Sequence, residues 1–297
     1  MQMDYAPFTY AHACTLQAEL LKAYPFAEFT VFGRSVTGRG IFACSVGEGT
    51  ENILFLAGLQ AEDTASPLLL YRFFTRLCAC YQGDRSLCNV QIRRSLQGRK
   101  ITVVPCLCPD SFEIHRYGAL GAGCYAGLVS RAAGASLSDW HANARGVNVA
   151  HNFDYRHQSV LLQDAADRPA PFAYAGHTPE SEAETQSLVR LCNRSNFRHS
   201  VLLEGFGQHF FWASPDSFSD KSDIPLTAKV LAGAGDYTLS AKTDCACRGT
   251  FPEWFTSEYG RPAFHIAPGK YETIDTKEQF DEVYHEIEEM LVLSAIL

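Results

Sequence analysis

The chain has 297 residues, 46% hydrophobic and 20% charged, with a formal net charge of −8. That length fits one large α/β domain or two small ones, and the apolar share excludes global disorder. The acidic balance, with no run of Lys or Arg, argues against nucleic acid or an anionic membrane as the main partner, and no apolar run reaches membrane-spanning length.

There are 11 cysteines, an odd number. The opening MQMDYAPFTYAHAC carries an acid and no basic residue before its histidine, so no secretory leader is expected. A reduced, cytoplasmic protein is the simplest account. Three Cys-x-Cys pairs occur, Cys78/Cys80, Cys106/Cys108 and Cys245/Cys247. One-residue spacing lacks the loop of a zinc knuckle. Most of these thiols read as small core hydrophobes.

In chain order, residues 9–24 space their apolar positions as an amphipathic helix that Pro25 ends. Phe29–Phe32 and Ile41–Val46 read as strands joined by the glycine-bearing turn GRSVTGRG. Asn52–Leu59 is a buried strand that breaks into polar groups at Gln60, Glu62 and Asp63, in the stretch FLAGLQAED. A helix follows from Ser66 to Tyr81, with Ser66 as N-cap and Pro67 in the first turn. A strand feeding a helix through a polar corner is where open α/β sheets carry their sites.

Lys100–Pro105 is a further buried strand. Residues 117–136, rich in Gly and Ala, read as a surface excursion with one short helix. Gly146–Val149 is a short strand, followed by the polar HNFDYR. Residues 164–179 carry three prolines and form a loop. Ser181 and Glu184 frame a capping box that opens a helix to Cys192. Ser200–Glu204 and Phe210–Ala213 are strands, Ile224–Ala234 a helix and Ala263–Ile266 a strand. Asp275, with Glu278 three residues on, caps a final helix whose inner face carries Phe280, Val283, Tyr284, Ile287 and Leu291. No repeat or linker divides the chain. Alternating strands and helices point to α/β architecture: a single domain over residues 1–297, with a mixed, mostly parallel sheet and helices on both faces.

Five segments in order resemble the zinc carboxypeptidase family of the carboxypeptidase A type, especially bacterial members that trim murein peptides. FGRSVTGRGIFACSVGEG is similar to the family's first hairpin. VPCLCPDSFE is similar to P-x-x-N-P-D-G, and WHANARGVNVAHNFD to W-x-A-N-x-R-G-V-D-L-N-R-N-F. SEAET is similar to S-E-P-E-T. GTFPEWFTSEYGRPAFHIAPGK is similar to the segment that ends in the family's T-I-E. The resemblance spans roughly residues 30 to 270 and implies the family's fold, a zinc ion and a peptide substrate.

Carried over residue by residue, the resemblance puts the family's zinc-binding His at Gln60, its Glu at Asp63 and its second His at Glu204. The general-base Glu falls at Ala267. The Arg that receives the substrate carboxylate falls at His151, beside the retained Asn152, and an upstream basic position holds His141. The asparagine of N-P-D becomes Cys108. The residues that shape the frame remain: Gly38, Pro105, Pro109, Trp140, Gly146, Trp254, Pro262 and Gly269. A Gln amide is a poor partner for zinc, and oxygen ligands from Gln60, Asp63 and Glu204 would suit Mg²⁺ or Ca²⁺ better. Ala267 has no proton acceptor, and His151 cannot fork onto a carboxylate as Arg does.

Three readings follow. One is an inactive module that keeps a peptide-binding cleft. Another is an enzyme with a rebuilt site, in which His265, on the strand face of Ala267, joins His151, Asp63 and Glu204 as base or ligand. The last is an ordinary zinc peptidase aligned differently, although no H-x-x-E occurs near Gln60.

Overall fold

The computed structural model describes residues 5–133, 137, 139–155, 166–172, 174–213, 226–241, 250–271 and 273–297. Cys245, Cys247, His157, the start of the 164–179 loop and the first two residues expected in the 224–234 helix lie outside the described residues.

The chain builds an eight-stranded mixed sheet. Its strands are β1 (Glu28–Arg34), β2 (Gly40–Val46), β3 (Glu48–Leu56), β6 (Gln97–Val104), β7 (Phe197–Leu203), β8 (His209–Trp212), β9 (Thr238–Ala241) and β10 (Ala263–Ala267). Two short strands, β4 (Ser86–Leu87) and β5 (Val90–Gln91), pair on their own. The sheet order is β1-β2-β6-β3-β7-β10-β8-β9. β3 is parallel to both β6 and β7, and β7 is parallel to β10. β8 runs antiparallel to β10.

Helices α1 (Tyr10–Ala23), α2 (Ser66–Gln82), α3 (Ile92–Ser95), α4 (Pro109–Tyr117), α5 (Ala126–Ala133), α6 (Ala183–Ser195), α7 (Leu226–Ala234), α8 (Phe251–Tyr259) and α9 (Lys277–Ser294) complete the described elements. One apolar layer, with Leu20, Leu70, Leu231 and Ile287 from α1, α2, α7 and α9, packs on Ile53, Phe55 and Ile266. The opposite layer sets Leu188, Trp254 and Phe255 of α6 and α8 against Leu54, Leu56 and Leu202. β3 therefore buries alternate side chains in two different layers, which is why its sequence reads as a continuous apolar run.

Four local expectations are corrected. Ser66 does not cap α2: the flanking residue is Ala65, without a side-chain cap, and the carboxylate of Asp63 accepts from the N–H groups of Ala65 and Ser66 instead. The capping box at Ser181 does not form, because its hydroxyl donates to Glu182 and accepts from Asn152. The last helix is capped one residue later than expected. Thr276 and Gln279 form the reciprocal pair, while Asp275 accepts from the Thr273 hydroxyl. Gly146–Val149 is no strand: Asn148 accepts from Ala150 N–H and opens a short 3-10 turn at Val149–His151. The Gly/Ala-rich stretch folds as a 3-10 segment, Gly118–Tyr125, followed by α5. It covers a separate cluster of Ile114, Ala122, Val129 and Trp140.

Candidate functional site

Past β3, the chain stays zipped to the segment beyond β6. Ala57 N–H donates to Val104, while the carbonyls of Ala57 and Gly58 accept from Leu107 and Cys108. Gly58 has a φ of 68°, and a Cβ there would stand 2.7 Å from the Cα of Cys106. Only glycine allows this approach, and it turns the following residues out at the carboxyl edge of the sheet. Ser111 then anchors the corner. Its hydroxyl accepts from Ala61 N–H and donates to the His141 carbonyl.

Gln60, Asp63 and Glu204 come together here from two strand ends. Gln60 Nε2 donates to Glu204 Oε1 across 3.2 Å. Asp63 Oδ2 accepts from Gly205 N–H at 3.1 Å, and its Oδ1 takes the two amides that begin α2. Asp63 is buried, which lifts its pKa to about 6 although backbone amides at Ser66, Ala65 and Gly205 hold it down. Glu204 N–H donates to the Ile266 carbonyl. The Nε2–H of His265 donates to the carbonyl of Glu204 at 2.7 Å.

This arrangement does not fit the metal that the resemblance implies. Neither Gln60 nor Glu204 offers an imidazole, and zinc favours nitrogen or sulfur donors. Both oxygens of Asp63 are occupied by backbone amides. Beside a carboxylate, Gln60 must present its N–H₂ rather than its oxygen, so an all-oxygen site for Mg²⁺ or Ca²⁺ is not assembled either. Among the described residues, no group of three or more His, Cys, Asp or Glu side chains could hold a metal ion. The hydrogen bond from Gln60 to Glu204 joins the two side chains directly.

Ala267 ends β10, buried, directly across from His209 on β8, and His265 stands across from Phe211. Facing residues of an antiparallel pair share a sheet face. The rings of His209 and His265 each lie 5.5 Å from Phe211. His209 Nδ1 is buried without a hydrogen-bond partner among the described residues. Sequence reasoning missed His209, since only the β8–β10 register brings it beside Ala267.

Asn152 is fully buried, and its amide holds a loop. It donates to Ala175, Thr178 and Ser181 and accepts from Glu182 N–H. These bonds tie the side chain to that loop. His151 is half-buried at the end of the 3-10 turn. His141 turns toward the corner, with Nδ1 3.3 Å from Glu62 Oε2.

A cavity of about 420 Å³ opens beside the corner, sharing Glu62, Thr64 and Phe206 with it. His141 lines it, together with His115 and Arg116 from the end of α4. Its size lies in the range of small-ligand pockets.

Comparison with known proteins supports the fold and the family. The family model described as zinc carboxypeptidase matches residues 15–273. A curated relative, gamma-D-glutamyl-L-diamino acid endopeptidase 1 of Lysinibacillus sphaericus, is 20% identical over 272 residues, covering 90% of this chain and 67% of the relative. Among solved structures, thrombin activatable fibrinolysis inhibitor superposes with a TM-score of 0.78 at 15% identity, over 97% of this chain and 76% of that one. The murein-tripeptide amidase MpaA from Escherichia coli O157 gives 0.54 at 19% identity, over 90% and 91%.

Proposed function

The chain belongs to the zinc carboxypeptidase family, and from that premise we propose that it is a catalytically degenerate member that binds a peptide in the family's cleft. The observation that carries this is the Gln60–Glu204 hydrogen bond, with Asp63 spent on backbone amides beside it. A peptidase of this type needs a metal-bound water and a base. Here the ligand positions hold one another, and the base position is an alanine. The loss of a general base alone costs about 10²- to 10⁴-fold. The frame around the corner still offers a cavity, so recognition can outlast chemistry.

The names of its relatives favour a murein peptide as ligand, because one is a murein-tripeptide amidase and another a gamma-D-glutamyl-L-diamino acid endopeptidase. Candidate ligand contacts are His141 and His151. The nine described cysteines are all free thiols, in keeping with a cytoplasmic setting. No helix among the described residues is long and apolar enough to cross a membrane.

A second reading, an active metallopeptidase with a rebuilt site, draws on His209 and His265 flanking Phe211 next to Ala267. In it, Asp63 and Glu204 would have to exchange their present hydrogen bonds for a metal. The two readings separate in one assay. The full chain is incubated with L-alanyl-γ-D-glutamyl-L-lysine, and binding and lysine release are followed together. Binding without release is expected. Release that needs added metal supports the rebuilt site, and absence of binding removes the peptide-binding reading.

A further inference from the structure

The cavity beside the corner contains a cation that the family alignment does not account for. The family receives a substrate carboxylate on an Arg at the position of His151, and His151 is not on the wall of this cavity. Arg116 is. It is exposed at the end of α4 and, among the described residues, has no acidic partner at ion-pair distance. His115, its neighbour in the chain, and His141 complete the basic part of the lining. Burial, and then His141, pull the pKa of His115 down. His141 is already turned to Glu62. That leaves Arg116 as the permanent charge available to an incoming anion. Asp139 and Asp275 line the same cavity and suit an ammonium group.

We propose that this cavity receives the charged end of a peptide, with its free terminal carboxylate on Arg116 and an amine of the same residue toward Asp139 and Asp275. The proposal rests on the peptide-binding reading and assigns its ligand class: a peptide ending in a free, diamino residue. Arg forks onto a carboxylate through two parallel N–H donors, which neither His151 nor His141 can do. On this proposal the carboxylate contact lies at the end of α4 rather than at the 151 position.

Calorimetric titration of the full chain tests this with two probes, L-alanyl-γ-D-glutamyl-L-lysine and the same peptide amidated only at its terminal lysine. The free acid is expected to bind about tenfold tighter, the scale of one charge-assisted contact at a partly exposed site. Arg116→Ala should erase that preference and Arg116→Lys should keep part of it, each with unchanged thermal unfolding. A preference that survives Arg116→Ala, or that is lost instead in His151→Ala, overturns the proposal and leaves peptide binding intact. Equal binding of both probes by the unaltered chain does the same. If neither probe binds, this assignment and the reading beneath it fall together.

Discussion

Asp63 is spent on the backbone of its own corner. Its two oxygens serve three backbone amides, two at the start of α2 and one at Gly205. Asp63→Ala should therefore cost about 1–3 kcal/mol in urea unfolding, since it removes a helix cap and strands buried donors. Asp63→Asn, which keeps an acceptor, should cost less. Among the described residues, Glu184 is the other buried carboxyl with a large shift. Burial, and then the charge of Asp110, push it from its ordinary 4.5 to about 8. The folded state holds that proton more tightly than the unfolded chain does. Its stabilisation is complete below pH 4.5 and is lost as pH rises through 8. Asp63 adds a smaller loss of the same sign as pH rises through about 6. Unfolding by urea should need less denaturant at pH 8.5 than at pH 5, and Glu184→Gln should flatten most of that slope. At this scale, the meeting of Gln60, Asp63 and Glu204 was legible from motif order. The bonds that tie Asp63 down were not, because Gly205 is 142 positions away in sequence. The place of His209 was equally hidden, since one slip in the β8–β10 register would move it off the face of Ala267.

Among the elements, sequence periodicity located α1, α2, α9 and the central strands, where apolar spacing is long and regular. It did not find α4 or α8, both of which begin at or next to a proline and bury aromatic side chains within nine residues. Short helices give too few turns for a period to emerge. Caps were placed one residue off or assigned to the wrong side chain, because several Ser, Thr and Asp residues stand near each helix start. Thr276→Ala should cost about 1 kcal/mol, while Asp275→Ala should stay within about 0.5 kcal/mol, with thermal unfolding as the readout. The turn after β3 is more demanding. A methyl at Gly58 would meet Cys106 Cα at 2.7 Å and Pro105 O at 2.9 Å, at a φ of 68°. Gly58→Ala should lower stability by more than about 2 kcal/mol. Gly38, with a φ of 89° but open space around it, should lose only about 1 kcal/mol on the same change.

Over the whole molecule, the frame and the corner have parted company. Residues such as Pro105, Trp140, Gly146 and Trp254 still bend and fill the fold, with Trp140 fully buried in the cluster of Ile114, Ala122 and Val129. They were readable because shape depends on residues whose backbone or volume is hard to replace. The corner was readable only as a set of departures, since a sequence names the replaced groups but not the new bonds between them. If those departures underlie the proposed loss of catalysis, putting the family's residues back should matter. Gln60→His, Asp63→Glu, Glu204→His and Ala267→Glu made together should bring back zinc binding, even where strain from the lost Asp63 cap keeps turnover low.

Zinc content per chain, measured on the 297-residue chain after incubation with equimolar zinc and removal of the excess, bears most directly on this account. The unaltered chain should retain far less than one equivalent, and the fourfold variant close to one. One tightly held zinc in the unaltered chain would mean that Gln60 and Glu204 are not locked together in solution, and the account would be wrong.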